Sequence, residues 1–137
     1  MLFLGGWLPD DITKTTEQIT VDPPAVRGGP LLPEYFLRHC SVLVDDKVFL
    51  IGGGVDTENK LLMIDVGTSA MMYKSELIHE RYDHACAQII GSNGKKQIVV
   101  SGGFGLKSTE IYDIDMDKWQ EGKITSKIAL TYCCEPK

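Results

Sequence analysis

The dipeptide Gly-Gly closes a short apolar run three times in this chain, at Gly5-Gly6, Gly52-Gly53 and Gly102-Gly103. Gly6, Gly53 and Gly103 are spaced 47 and then 50 residues apart. A strand that stops in two glycines needs backbone angles, or a close approach of backbone, that a side chain forbids. Together the pattern and its period describe a blade-like β unit rather than a helical repeat. A scaffold of that kind points to binding rather than catalysis.

Composition agrees with a folded β protein. Of 137 residues, 43% are hydrophobic and 24% charged, which argues against general disorder. Fourteen glycines and six prolines suit short strands joined by tight turns. The formal charge of −5 comes without a concentrated basic patch, so nucleic acid and anionic membranes are not expected partners. Met1–Leu4 is apolar but is interrupted by Gly5-Gly6 and has no preceding basic region, unlike a signal peptide. The run from Val48 to Val55 is broken by glycines and too short to span a bilayer. A cytoplasmic location follows as an expectation. Cysteines stand at Cys40, Cys86, Cys133 and Cys134, with no C-x-x-C spacing. Free thiols are expected ahead of disulfides, and no metal or other cofactor is expected.

Two units can be traced in phase. In the later one, Ala85–Ile90, Gln97–Ser101 and Thr109–Asp113 read as strands, followed by a turn leading to Trp119. In the earlier one, His39–Val44 and Lys47–Ile51 are joined by the two-residue connection Asp45-Asp46. Lys60–Asp65 as third strand and Ala70–Leu77 as fourth complete it. His39 and His84 precede equivalent strands, and Asp65 and Asp113 close equivalent third strands. Near the N-terminus Gly5-Gly6 stands where a second strand should end, Thr16–Thr20 is a third strand, and Asp22–Pro33 reads as a loop. Lys123–Leu130 reads as the start of a further first strand. The expected division is therefore 1–33, a partial blade and loop; 34–78 and 79–122, two blades; and 123–137, a tail or further blade.

These residues resemble the kelch repeat, in which a strand ending in Gly-Gly precedes an acidic strand and a spaced aromatic pair. The likeness is fullest from His84 to Trp119, where Gly102-Gly103 is followed by Glu110-Ile111-Tyr112-Asp113 and then Trp119. Arg81-Tyr82-Asp83-His84 is similar to the family's Arg-x-x-His lead-in. The earlier unit departs from the pattern: it has Met63-Ile64-Asp65, Tyr73 in place of tryptophan, and Arg38 directly beside His39. The resemblance implies an all-β, kelch-type β-propeller fragment built of four-stranded antiparallel blades. Two units and part of a third leave blade faces and edges open, so self-association through those edges is expected, as is a longer parent product.

For function, the resemblance implies a protein-interaction module whose loops hold a protein or peptide, acidic if arginines lead the contact. The candidates are Tyr35, Arg38, Arg81, Tyr82 and Phe104, on the loops before first strands and after second strands. Gly5, Gly6, Gly52, Gly53, Gly102 and Gly103, together with His39, His84, Glu110, Tyr112 and Trp119, read as structural repeat positions. No phosphate-cradling motif surrounds the glycines. The acids Glu17, Asp65, Glu110 and Asp113 read as strand-end or turn acceptors rather than as a catalytic pair, and no enzymatic activity is expected. Two alternatives remain open at this point: part of a catalytic propeller resembling galactose oxidase, and a structural fragment without independent activity.

Overall fold

The computed structural model of the protein describes residues 2–8, 11–54 and 56–123. Eleven strands follow in order: β1 (Leu2–Leu8), β2 (Asp11–Val21), β3 (Pro24–Gly28), β4 (Cys40–Val44), β5 (Lys47–Ile51), β6 (Leu61–Asp65), β7 (Met71–Tyr73), β8 (Ala85–Ile90), β9 (Lys96–Ser101), β10 (Thr109–Asp113) and β11 (Lys118–Gly122). They form a three-stranded sheet, β1-β2-β3, and two four-stranded sheets, β4-β5-β6-β7 and β8-β9-β10-β11. Every neighbouring pair is antiparallel, so each sheet is a meander of hairpins. The fold is all-β, and its two four-stranded sheets are consistent with kelch-type blades.

Turn chemistry sets the hairpins. Between β4 and β5, Val44 pairs with Lys47 and leaves Asp45-Asp46 as the two-residue link. Asp45 takes φ 56°, a left-handed angle that aspartate tolerates better than most residues. Asp65 and Asp113 cap the turns after the third strands. The Asp65 carboxylate accepts the Thr68 N–H, and that of Asp113 accepts the Asp115 and Met116 N–H groups.

The middle sheet is covered on both faces, which explains why β5 reads as the unbroken apolar run Val48-Phe49-Leu50-Ile51. On one side Phe49, Ile51 and Leu61 meet Ile98, Val100, Tyr112 and Trp119 of the last sheet. On the other, Val48, Leu50, Leu62 and Ile64 are covered by Leu32 and Phe36 from the connection before β4. The last sheet instead alternates along β9, burying Ile98 and Val100 and leaving Val99 half-buried.

The N-terminal sheet differs from the sequence expectation. Gly5-Gly6 does not end a strand: β1 continues through both glycines to Leu8, with a register shift between Leu4 and Gly6. Glycine inside a strand commonly marks such a bulge. β2 starts at Asp11, well before the expected Thr16, and ends at Val21, one residue past Thr20; Pro24–Gly28, expected as loop, is a strand. Pro24 is its first residue on the sheet edge, where a missing N–H removes no needed ladder bond. Cys40 and Cys86 are joined in a disulfide, which corrects the expectation of free thiols at these two positions. They begin the first strands of adjacent sheets, and packing of those sheets brings them together despite 46 residues of separation. Cys133, Cys134 and the strand expected to start near Lys123 lie, from residue 124 onward, outside the described residues.

Candidate partner-binding face

Four connections meet at one end of the two four-stranded sheets: those entering β4 and β8 and those leaving β5 and β9. Backbone hydrogen bonds stitch them across the seam between sheets. The Leu77 and Arg81 N–H groups donate to the Asn59 and Glu58 carbonyls at 2.9 and 2.8 Å. Gly53 N–H donates to the Arg81 carbonyl at 2.8 Å, and Asp83 N–H to the Arg38 carbonyl at 3.0 Å. The paired glycines make this approach possible. Gly52 and Gly53 have φ of 58° and 123°, and added Cβ atoms would lie 2.5 Å from the Arg81 carbonyl and 2.6 Å from that of Leu37. Gly102 and Gly103 repeat the left-handed angles at 70° and 114°.

Arg81 does not reach the face on which it was expected. It is 1% exposed and uses all five guanidinium N–H donors inside the protein. Nε and Nη2 donate to Glu110 Oε1 at 3.0 and 2.7 Å. Nη1 donates to the Gly102 and Ser108 carbonyls at 2.7 and 2.9 Å, and Nη2 also to Ser108 Oγ at 2.8 Å. Glu110, fully buried, in turn accepts the Ile78 and His79 N–H groups. The pair therefore ties the lead-in of the last sheet to the loop after β9. Its charges are satisfied in place, so Arg81 is corrected from a partner contact to a buried clamp.

The equivalent histidines are not equivalent in bonding. His39 Nδ1 lies 3.0 Å from the Phe36 carbonyl. His84 is 6% exposed and neither ring nitrogen has a formed hydrogen bond; the Ile51 backbone near the ring gives only a weaker polar contact. Burial, with the neighbouring Arg81 and His39 charges, pushes the His84 pKa down to about 4. The ring packs where a side chain on Gly52 would stand, 2.9 Å from that Cβ position. Tyr112 and Trp119 fill the other end of the seam. Their rings are 4.9 Å apart, Tyr112 Oη donates to Asp117 at 2.6 Å, and Trp119 Nε1 donates to the Ser75 carbonyl at 2.8 Å.

Three of the five expected contact residues do come together. The Arg38 guanidinium lies 4.5 Å above the centre of the Tyr82 ring, and Tyr82 stacks on Phe104 at 5.4 Å and 14°. Arg38 also pairs with Asp83, Nε donating to Oδ1 at 2.8 Å and Nη2 to Oδ2. That contact holds the Asp83 carboxyl below its ordinary range. Arg38 and Asp83 each precede the repeat histidine, and both have φ of 55°. Phe104 is 72% exposed, so the stack presents an open aromatic face. Tyr35 is exposed but joins a different contact, beneath the Lys14 ammonium at 4.5 Å. Asp83, which sequence reasoning passed over, completes the group; its position one residue before a repeat histidine was the available signal.

No protein-family model matches the chain. The chain is 51% identical over 49 residues to "Kelch domain-containing protein 3" of Rattus norvegicus. The Mus musculus protein of the same description matches over the same length at the same identity. Each match covers 33% of this chain and 13% of the relative, so the chain spans only a small part of the curated relatives it matches. The likeness to a kelch-domain protein is partial, and the sheets are consistent with part of a propeller.

Proposed function

We propose that the chain is part of a kelch-type β-propeller and binds a protein or peptide through the Arg38–Tyr82–Phe104 stack. The observation that supports this reading is an exposed aromatic stack assembled from the loops of two different sheets on a hydrogen-bonded frame. Rigid aromatic surface loses little conformational freedom on contact, which is why such residues dominate binding energy elsewhere. Charge contributes less. Arg81 is internal, and an acidic side chain of a partner would have to displace Asp83 from Arg38. The preferred occupant therefore offers an apolar or aromatic side chain to Phe104, with an acidic group as a secondary contact.

Selection of a random peptide library against the full 137-residue chain tests this reading. Selected peptides should lose about tenfold or more in affinity on Phe104→Ala, the loss expected of an aromatic hot spot. Arg38→Gly removes the upper layer of the stack while suiting the left-handed backbone, so it should weaken binding without destabilising the fold. Peptides indifferent to both changes would refute the assignment of this face.

A further inference from the structure

The Cys40–Cys86 disulfide joins β4 to β8, the facing first strands of separate sheets. Cys40 lies two residues beyond Arg38, and Cys86 three beyond Asp83, so the bridge is close along both chain segments to the ion pair of the binding face. Both cysteines are half-buried rather than enclosed, which leaves them open to a small thiol. We propose that this disulfide is a redox-controlled lock on the loop face, a proposal that rests on reading that face as the binding site.

The seam is unevenly held. A buried apolar core runs through it from Ile51 and Val100 to Tyr112 and Trp119, with Cys86 packed at its margin. At the loop end the side chains of Arg38 and Asp83 are 55% and 46% exposed, and ion pairs in water contribute little. Both residues also hold left-handed backbone angles that neither arginine nor aspartate prefers. With the disulfide removed, that end is held by the four backbone hydrogen bonds across the seam, the Arg38–Asp83 pair and the Arg38–Tyr82 contact, and no covalent link remains between the sheets there. Opening there separates Arg38, carried by the lead-in to β4, from Tyr82 and Phe104, carried by the last sheet.

The chemistry is thiol–disulfide exchange. A glutathione-class thiolate attacks one cysteine sulfur and forms a mixed disulfide, and the other cysteine leaves as a thiolate. A second thiol attacks the mixed disulfide, giving two protein thiols and one oxidised glutathione. Two electrons pass to the protein, and the reverse steps restore the bridge.

Hydrogen exchange of the full chain tests the lock, with Cys133→Ser and Cys134→Ser so that one pair alone can form. The chain is equilibrated in oxidised or in reduced glutathione, and its thiols are counted by alkylation. The Asp83 and Gly53 amides, which cross the seam to the Arg38 and Arg81 carbonyls, should exchange about tenfold faster or more when reduced, while β6 and β10 keep their protection. Return to oxidised glutathione should restore the slow rates, and Cys86→Ser should match the reduced chain. Equal rates in both redox states would overturn the proposal. So would a faster exchange spread through β6 and β10, because the bridge would then be a general staple. Peptide binding does not enter this readout, so failure of the binding assignment and failure of the lock are told apart.

Discussion

Arg81 donates five hydrogen bonds while almost wholly buried, and its partner Glu110 is equally buried. Removing one member leaves the other charged and unpaired, which costs more than the pair itself contributes. Glu110→Ala should lower unfolding stability by about 3–5 kcal/mol in urea titration. Arg81→Lys should recover little of the loss caused by Arg81→Ala, since an ammonium cannot span the Glu110, Gly102 and Ser108 acceptors at once. A variant as stable as the parent would contradict the clamp. His84 makes a separate prediction. Its folded pKa of about 4 lies below the ordinary 6.5, so protons bind the unfolded chain more readily in between. The stability it contributes is whole above pH 6.5 and is lost as pH falls toward 4, amounting to about 3 kcal/mol. His39, lowered by burial, acts in the same direction. Urea midpoints measured at pH 7 and pH 4.5 should converge in His84→Gln relative to the parent. An unchanged pH slope in that variant would show that the ring is not the titrating group.

Adjacent glycines can be told apart once the sheets are seen together. Gly53 has φ of 123° and a neighbouring carbonyl 2.6 Å from its Cβ position, whereas Gly54 has nothing within 4 Å and no left-handed angle. Gly53→Ala should therefore destabilise by on the order of 1–3 kcal/mol or more. Gly54→Ala should be neutral or slightly stabilising, through the smaller entropy of its unfolded chain. Thermal unfolding of the two variants checks the contrast, and equal shifts would mean that seam geometry does not govern these glycines. Much of this level was legible in the residues. The Asp45-Asp46 hairpin, the strand ending at Asp113 and the strand-ending Gly-Gly of the two four-stranded sheets follow from local turn chemistry and period-two patterning. What was not legible depended on neighbours distant in sequence. Arg81 looked like a loop arginine because Glu110, 29 residues away, supplies its partner. Cys40 and Cys86 looked like free thiols because only sheet packing brings them together. Gly5-Gly6 looked like a strand end because two glycines read the same there and in a bulge.

The three sheets are unequally tied into the molecule. The middle and last sheets share a continuous apolar core, a disulfide and four backbone hydrogen bonds across their seam. Among the described residues, the N-terminal sheet is attached through the segment that follows it: Gly29 and Leu32 N–H groups donate to the Thr16 and Lys14 carbonyls at 2.7 and 2.8 Å. Thr16 Oγ1 and Lys14 Nζ add bonds to the Pro30 and Pro33 carbonyls. That segment then inserts Leu32 and Phe36 into the outer face of the middle sheet, and these two side chains couple it to that sheet. Local opening follows the weakest buried contact, and β3 is exposed along nearly its whole length. Amides of β2 and β3 should therefore exchange well before those of β5 and β6, through an opening that leaves the two four-stranded sheets intact. Leu32→Ala removes a residue 2% exposed and should cost about 2–5 kcal/mol of the middle sheet's stability. In that variant β5 and β6 should lose protection along with the N-terminal sheet, because the plug that covers Val48, Leu50 and Ile64 is cut back. Simultaneous exchange of all three sheets in the unaltered chain would show instead that they unfold as one unit, and that the connection transmits more than its few contacts indicate.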